Sequence, residues 1–351
     1  MKRYLPGLLI AGFLLAYPAL DRGFGWGSLG DMVPMFIAAL IALGLNVVVG
    51  YTGLLNLSAA AFFGIGAYTA GILTSPLYPF QWSFWAAGVA APAVAAAAGV
   101  LLGSPALRLR GDYLAIVTLG FGEVLQVVLK NLETVTKGTQ GINPVAVPFL
   151  FGREVFPNQD PLWAGAAFWT GERFWYYLVL AALGLGVAAS WLLEHSRLGR
   201  AWMAVREDEL AATCMGVRST RAKLTAFAVS AAFAGLAGAI HASYLQSTTE
   251  PGNFDFNLSI MLLCAVIIGG MGSIPGVLVG GFVIGVFDRI ALPWLSRHFA
   301  GSGSGPTNIL LDFKNWKWLL FGLALIVMMR LRPEGLWPDR RIREELRKAG
   351  G

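Results

Sequence analysis

Charged residues are scarce in this chain of 351 residues, where they make up 13% while hydrophobic residues make up 56%. Soluble domains carry roughly 25% charged residues, so this composition excludes an ordinary soluble protein and predicts one embedded in a membrane. Cysteine and histidine are also rare, at two and three residues. They form no disulfide or metal-binding framework, and we expect Cys214 and Cys264 to be inert. The net charge of +6 comes from basic residues between apolar segments, a pattern that sets membrane topology.

The motifs of an enzyme or of a nucleotide-driven motor are absent from the sequence. No lysine stands in a G-K-[ST] motif, and neither H-E-x-x-H nor G-x-S-x-G occurs. A catalytic site needs a nucleophile, a base and a group that orients them, and the sequence offers no such set. We therefore predict that the chain is not an enzyme and takes its energy from another source.

The chain does contain many apolar segments of the length that crosses a bilayer, about 20 residues each. The candidate spans are 4–20, 32–50, 54–73, 82–103, 113–130, 174–193, 224–245, 258–287 and 316–331. The first lacks a clear cleavage site, so a retained anchor is favoured over a signal peptide. The helix-breaking sequence GGMGSIPG interrupts 258–287, and dividing that segment into two short spans gives about ten in total.

Basic residues cluster in four stretches: the amino end, the loop after the fourth span, the loop 194–223 and the tail 332–351. The positive-inside rule places all four in the cytoplasm, so both termini are expected there. The segment 131–173 is then an external loop that either docks a partner or caps the ends of the spans. We treat 1–351 as a single transmembrane domain.

Polar side chains inside the apolar spans are candidates for a translocation route, because such groups are costly in lipid and usually face a cavity or a partner. Glu123 lies near the middle of its span and His241 late in another. Each belongs either to a route or proton relay, or to a hydrogen bond between helices. The other candidates are Asn46, Asn56, Ser58, Tyr68 and Thr118. Small residues spaced three or four apart in 54–73 would let helices approach closely: Ala60, Gly64, Ala67 and Gly71.

The loop 194–223 concentrates charge between two apolar spans. Ser196 is a plausible N-cap, no proline or glycine occurs from Arg200 to Met215, and Gly216 suits a helix C-terminus. These features predict one helix over 200–215. That helix either enters a groove on a partner protein or serves as a solvated connector.

The stretch REDELAATCMG in this loop resembles the coupling motif of ABC-importer permeases, through Glu209, Ala211, Ala212 and Gly216. Four further stretches resemble permeases of the branched-chain (hydrophobic) amino acid uptake family. They are GYTGLLNLSAAAFFGIGAYTAG (50–71), LRLRGDYLAIVTLGFGEVLQVVL (107–129), VTKGTQGI (135–142) and VIIGGMGSIPGVLVGGFVIG (266–285). Relatives often read S-L-G-H where this chain has Asn56-Leu57-Ser58-Ala59. The polar histidine ring of that pattern is therefore replaced by Ala59.

The resemblance implies an all-α, polytopic permease of the type II, vitamin-B12-importer-like kind in the inner (cytoplasmic) membrane of the cell. It implies ATP-driven import with a second homologous permease, two cytoplasmic ATP-binding subunits and an external solute-binding protein. ATP and Mg²⁺ would be bound by the partner ATPase, with no cofactor in this chain. Arg206, Asp208 and Glu209 would help to dock that ATPase. The alternatives are a urea or short-amide importer and an ion-coupled secondary transporter that uses Glu123 and His241.

Overall fold

The computed structural model describes residues 12, 14–19, 21, 29–106, 112–150, 153–157, 170–294, 316–332 and 335–337. Seven helices in these ranges are long and apolar enough to cross a membrane, and two shorter apolar helices accompany them. The multi-pass, helical architecture predicted from the sequence is therefore confirmed. Most of the first candidate span, 4–20, lies outside the described residues, so the count of ten stays a prediction.

The first half of the chain contributes α1 (Leu29–Asn46), α2 (Ala59–Thr74), α3 (Phe84–Ala106), α4 (Asp112–Asn131) and the single turn α5 (Glu133–Thr136). A π-helical turn, Val47–Tyr51, extends α1, and a 3₁₀ turn, Gly138–Gln140, follows α5. The strands β1 (Phe149–Leu150) and β2 (Arg153–Glu154) pair antiparallel in the predicted external loop. This short ladder is the only β-structure among the described residues.

The second half contributes α6 (Gly171–His195), α7 (Arg197–Glu207), α8 (Glu209–Cys214), α9 (Ser219–Leu245), α10 (Phe256–Gly269), α11 (Ile274–Val286) and α12 (Lys317–Leu331). A 3₁₀ turn, Pro251–Asn253, precedes α10, and a π-helical turn, Phe287–Ala291, extends α11. The predicted break in 258–287 is confirmed, because α10 ends at Gly269 and α11 starts at Ile274. The predicted helix over 54–73 is wrong at its start, since residues 53–58 are not helical.

Close contacts between backbones hold α9 at the centre of the bundle, against α1, α2 and α3. A Cβ added to Gly66 would lie 2.1 Å from the carbonyl oxygen of Gly235, and one added to Gly238 would lie 2.1 Å from that of Phe63. Only glycine fits such an approach, which increases the van der Waals contact between helices. The predicted small-residue stripe packs elsewhere: Gly64 faces Phe254 and Gly71 faces Thr248.

The described part of the predicted external loop 131–173 folds back onto the ends of the spans. Ile142 and Thr248 exchange two hydrogen bonds, from Ile142 N to Thr248 Oγ1 at 2.8 Å and from Thr248 N to Ile142 O at 3.1 Å. Val145 N also donates to Gln246 O at 3.0 Å. This segment packs as the capping hypothesis predicts, while partner docking stays a prediction.

Candidate functional site

The charged loop between α6 and α9 is folded, but it is not one helix. Ser196 caps α7 as predicted, accepting hydrogen bonds from Leu198 N at 3.1 Å and Gly199 N at 3.2 Å. The predicted continuous helix over 200–215 is wrong, because Asp208 has extended backbone angles (φ −155°, ψ 113°). Its Oδ1 accepts from Leu210 N at 2.8 Å and Ala211 N at 3.0 Å. An aspartate side chain stabilises a helix start better than a helix interior, so Asp208 ends α7 and begins α8.

Gly216 ends α8 as the sequence predicts. Its φ of +88° lies in the left-handed region that glycine adopts readily. Val217 N donates to Ala212 O and Gly216 N donates to Thr213 O, each at 3.0 Å. This pair of bonds is a Schellman motif, which satisfies carbonyl groups at a helix end.

The three polar side chains that the sequence assigns to ATPase docking all bind groups of this chain. Arg206 donates from Nη1 to the carbonyl of Gly50. Asp208 caps α8, and Glu209 forms an ion pair of 2.7 Å with Lys223, whose side chain is 9% exposed against 42% for the glutamate. These contacts fix the position of α7 and α8 on the bundle, so docking by the same groups stays a prediction.

The outer surface of the coupling loop is apolar at its tip. Leu210 is 75% exposed and Met215 is 85% exposed. Of the two alanines in the coupling motif, Ala211 is exposed and Ala212 is buried. Sequence reasoning placed Leu210 on one face of the predicted helix but missed Met215, although an apolar residue at the end of a short charged helix was a usable signal. We call Leu210, Ala211 and Met215 the apolar tip.

Asn46 lies at the turn between α10 and α11, away from the other candidate pathway residues. Its Oδ1 accepts a hydrogen bond from Gly272 N at 2.8 Å. A Cβ added to Gly50 would lie 2.5 Å from the same nitrogen. The end of α1 and this turn are therefore in direct contact. Residues 336 and 337 also reach the turn, donating to the carbonyls of Ile268 and Gly269 at 2.8 Å and 3.0 Å.

Three predicted pathway residues do come together, around the non-helical segment 53–58. Asn56 Oδ1 accepts from Ser58 N at 3.0 Å and also from the Ser58 hydroxyl. Leu57 N donates to Thr118 Oγ1 at 3.1 Å. A fourth residue, missed by the sequence reasoning, joins them: Ser259 Oγ accepts from Ala60 N at 3.1 Å. All four side chains are 0–1% exposed. We call Asn56, Ser58, Thr118 and Ser259 the polar cluster.

Tyr68, Glu123 and His241 lie outside the polar cluster. Tyr68 donates to Thr249 O at 3.4 Å beside the folded external loop. Glu123 lies on the exposed face of α4. His241 packs its ring 5.2 Å from that of Phe63, and its Nδ1 is buried without a hydrogen-bond partner among the described residues.

The apolar helices, the interrupted backbone beside α4 and the folded charged loop define a multi-pass membrane protein. Residues 32–329 match the family model of the permease component of branched-chain amino acid transport systems. The chain belongs to this family. Membership of this family identifies the chain as a transport subunit and not as an enzyme.

Curated relatives of two kinds match the chain. The permease protein LivM of a high-affinity branched-chain amino acid transport system is 38% identical in Salmonella typhimurium and 39% in Escherichia coli. Each of these alignments covers 97% of this chain and 76% of the relative. The permease protein LivH of the corresponding system in Salmonella typhimurium is 27% identical, over 74% of this chain and 83% of the relative. No match was found among solved structures.

Proposed function

We propose that this chain is the membrane-spanning permease subunit of an ATP-driven importer of branched-chain and related hydrophobic amino acids. It forms half of a translocation pathway, with a second homologous permease as the other half, and works by alternating access. Two cytoplasmic ATP-binding subunits bind ATP and Mg²⁺, and an external solute-binding protein delivers the cargo. The observation that carries this proposal is the LivM relationship over 97% of the chain.

The proposed orientation puts both termini and the loop 194–223 on the cytoplasmic side of the inner (cytoplasmic) membrane, with about ten spans in a type II arrangement. The charge distribution supports it, because basic residues favour the cytoplasmic side. The order of the described helices is compatible with it. Two spans, α9 and α10, separate the coupling loop from the α10–α11 turn. If each crosses the membrane once, the loop and the turn lie on the same side.

The ATPase contact is proposed to lie at the apolar tip of the coupling loop. Leu210 and Met215 are 75% and 85% exposed on the charged loop, and exposed apolar patches mark interaction sites. A short helix fixed by caps at both ends suits a groove on a partner. Arg206, Asp208 and Glu209 then contribute by holding the tip in place, and the docking energy comes from apolar contact.

The import proposal is tested in proteoliposomes that hold the chain with its second permease and ATP-binding subunits, with the solute-binding protein outside. Labelled leucine should accumulate only when ATP is present on the side of the ATP-binding subunits. Uptake that follows a proton gradient and ignores ATP would contradict the proposal in favour of an ion-coupled relay. Transport of urea or a short amide in place of leucine would instead identify the chain as a permease of a urea or short-amide importer.

The docking proposal is tested with Leu210→Asp and Met215→Asp, each measured for binding of the purified ATP-binding subunits. A charge in an apolar groove should weaken binding about tenfold, which corresponds to about 1.4 kcal/mol. Leu77→Asp is the matched control, because Leu77 is 53% exposed in the turn after α2 on the proposed external side. Equal ATPase binding by wild type, Leu210→Asp and Leu77→Asp would remove the tip from the interface.

A further inference from the structure

The polar cluster lies at the depth of the middle of the membrane. The span that contains α4 runs from Tyr113 to Asn131, which places Gly122 at its centre. A Cβ added to Gly122 would lie 3.9 Å from Leu57 O. The non-helical segment 53–58 therefore passes the centre of a full span. Irregular backbone at that depth occurs in membrane proteins where protein covers it or where it borders a cavity.

Two helices begin at this level. α2 starts at Ala59, directly after the non-helical segment 53–58, and α10 starts at Phe256. Ala60, in the first turn of α2, is bound to Ser259, in the first turn of α10, at 3.1 Å. Gln126, four residues beyond Gly122 on α4, donates to Gly252 O at 3.3 Å, just before α10. Both helices thus direct their N-termini toward the middle of the bundle.

A helix N-terminus carries a partial positive charge and free N–H groups, so it stabilises anions. Interrupted helices in transporters present such N-termini to anionic substrate groups near the bilayer midplane. α2 has 16 residues and α10 has 14, so each has a developed dipole. A helix N-terminus alone does not define a site, and a second observation concerns Asn56.

Asn56 carries an unused donor at the start of α2. Its side chain is 0% exposed, and its Nδ2 has no hydrogen-bond partner among the described residues. The assignment of the two amide atoms is fixed by the backbone, because Ser58 N can only donate and therefore faces Oδ1 at 3.0 Å. A buried unpaired donor costs about 1–3 kcal/mol. Its persistence beside a helix N-terminus indicates that it has an acceptor in another state of the protein.

We propose that the polar cluster is a transit site for the carboxylate group of the transported amino acid. Asn56 Nδ2 donates to the carboxylate, and the N-terminus of α2 stabilises its charge. This inference rests on the proposed function, which supplies an amino acid as cargo. All four cluster side chains are covered in this structure, so the carboxylate reaches them when the surrounding helices separate during alternating access.

A carboxylate at the start of α10, the helix that carries Ser259, suits the remaining part of a zwitterion. Asp255 caps α10, accepting from Leu258 N at 3.0 Å through Oδ1 and from Asn257 Nδ2 at 2.6 Å through Oδ2. It precedes Ser259 by four residues, at the start of the same helix. An α-ammonium group held at the start of α10 therefore meets a negative charge while the carboxylate meets Asn56.

The test compares L-leucine with L-leucinamide, which keeps the side chain and the ammonium group but replaces the carboxylate by a neutral amide. Binding to the nucleotide-free complex in nanodiscs, without the solute-binding protein, is measured by ligand-observed NMR at millimolar concentrations. The wild-type complex should bind leucine at least about tenfold more tightly, as expected for a charge-assisted hydrogen bond. Equal binding of the two ligands, or binding of neither, overturns the proposal without any variant.

Asn56→Asp then tests the residue itself. The aspartate keeps an acceptor for Ser58 N, but it removes the donor and adds a negative charge, so the preference for leucine should fall to within twofold. Asn131→Asp, at the exposed end of α4, makes the same chemical change away from the site and should retain the wild-type preference. A preference that survives in Asn56→Asp overturns the assignment.

Import by the complex separates this inference from the proposed function. If wild-type complex prefers leucine but imports no hydrophobic amino acid, the proposed function and the transit role fail, and only carboxylate binding at the cluster stands. If wild-type and Asn56→Asp complexes import leucine at the same rate and show the same preference, the proposed function stands and the site is wrong.

Discussion

Replacing Gly216 by alanine should loosen the end of the coupling helix by a predictable amount. Gly216 has φ +88°, and a Cβ added there would meet no atom within 4 Å. The substitution therefore causes no steric clash with neighbours, and its cost is that of a left-handed backbone in an L-residue. That cost is about 1–2 kcal/mol. Asparagine, which tolerates this conformation better, should cost less.

The bond from Val217 N to Ala212 O, at 3.0 Å, reports on this motif. A loss of about 1–2 kcal/mol shifts a local opening equilibrium by a factor of about 5–30. Hydrogen exchange of the peptide covering 209–218, measured by mass spectrometry on the assembled complex, should accelerate by that factor in Gly216→Ala. The exchange rate in Gly216→Asn should lie between those of Gly216→Ala and wild type.

Gly184 provides the matched control. It lies exposed on α6, its Cβ position is also free of atoms within 4 Å, and its φ is not positive. Gly184→Ala should leave exchange in 209–218 unchanged and strengthen its own helix by up to about 1 kcal/mol. Unchanged exchange in Gly216→Ala, or a larger effect of asparagine than of alanine, would refute the reasoning from backbone conformation.

Substitutions at three further contacts test how the coupling loop and the bundle are held in position. Glu209→Gln leaves Lys223, whose side chain is 9% exposed, without its carboxylate partner. A double-mutant cycle with Lys223→Met should give a coupling energy of about 1 kcal/mol, between the values typical of surface and buried ion pairs. Asp208→Ala removes the N-cap of α8 and should destabilise the folded protein by about 1 kcal/mol. Asp208→Asn keeps the hydrogen-bond acceptor and should retain this stability. Equal loss of ATPase binding in both variants would instead indicate that the charge of Asp208 contacts the ATPase. Gly66→Val puts a carbon 2.1 Å from Gly235 O, so the yield of folded protein in detergent should drop; a wild-type yield would contradict the close approach.

Local sequence signals predicted the features that local chemistry controls. Ser196 and Gly216 were identifiable because capping depends on a side chain or a φ angle within a few residues. The break between α10 and α11 was identifiable because glycine and proline disfavour helix wherever they cluster. The break at Asp208 had a signal as well, since aspartate is a preferred N-cap, but the absence of glycine and proline in 200–215 outweighed it in the prediction.

The features that the sequence did not reveal depend on distant contacts. Residues 53–58 contain no proline and include three leucines, so hydropathy extends a helix through them. The interruption is stabilised by Thr118, which binds Leu57 from 61 residues away. Ser259 belongs to the same cluster but stands alone in an apolar run. Among 44 glycines, only packing selects Gly66 as the one that approaches Gly235. The sequence therefore identifies polar side chains inside the spans, but it does not show which of them lie together in the polar cluster.

The coupling loop and the polar cluster are joined through a short stretch of backbone. Arg206 donates to Gly50 O, and its Cγ lies 3.2 Å from the Cβ position of Gly53. Asn56 follows three residues later, about 10 Å along an extended chain. A force on α7 and α8 therefore acts on the base of the same segment whose other end carries Asn56. Since packed interfaces shift between discrete arrangements and do not deform continuously, we expect a displacement of Arg206 to move this segment. In the proposed alternating access, this segment would connect the position of the loop to the exposure of the proposed site, without a long relay through the bundle.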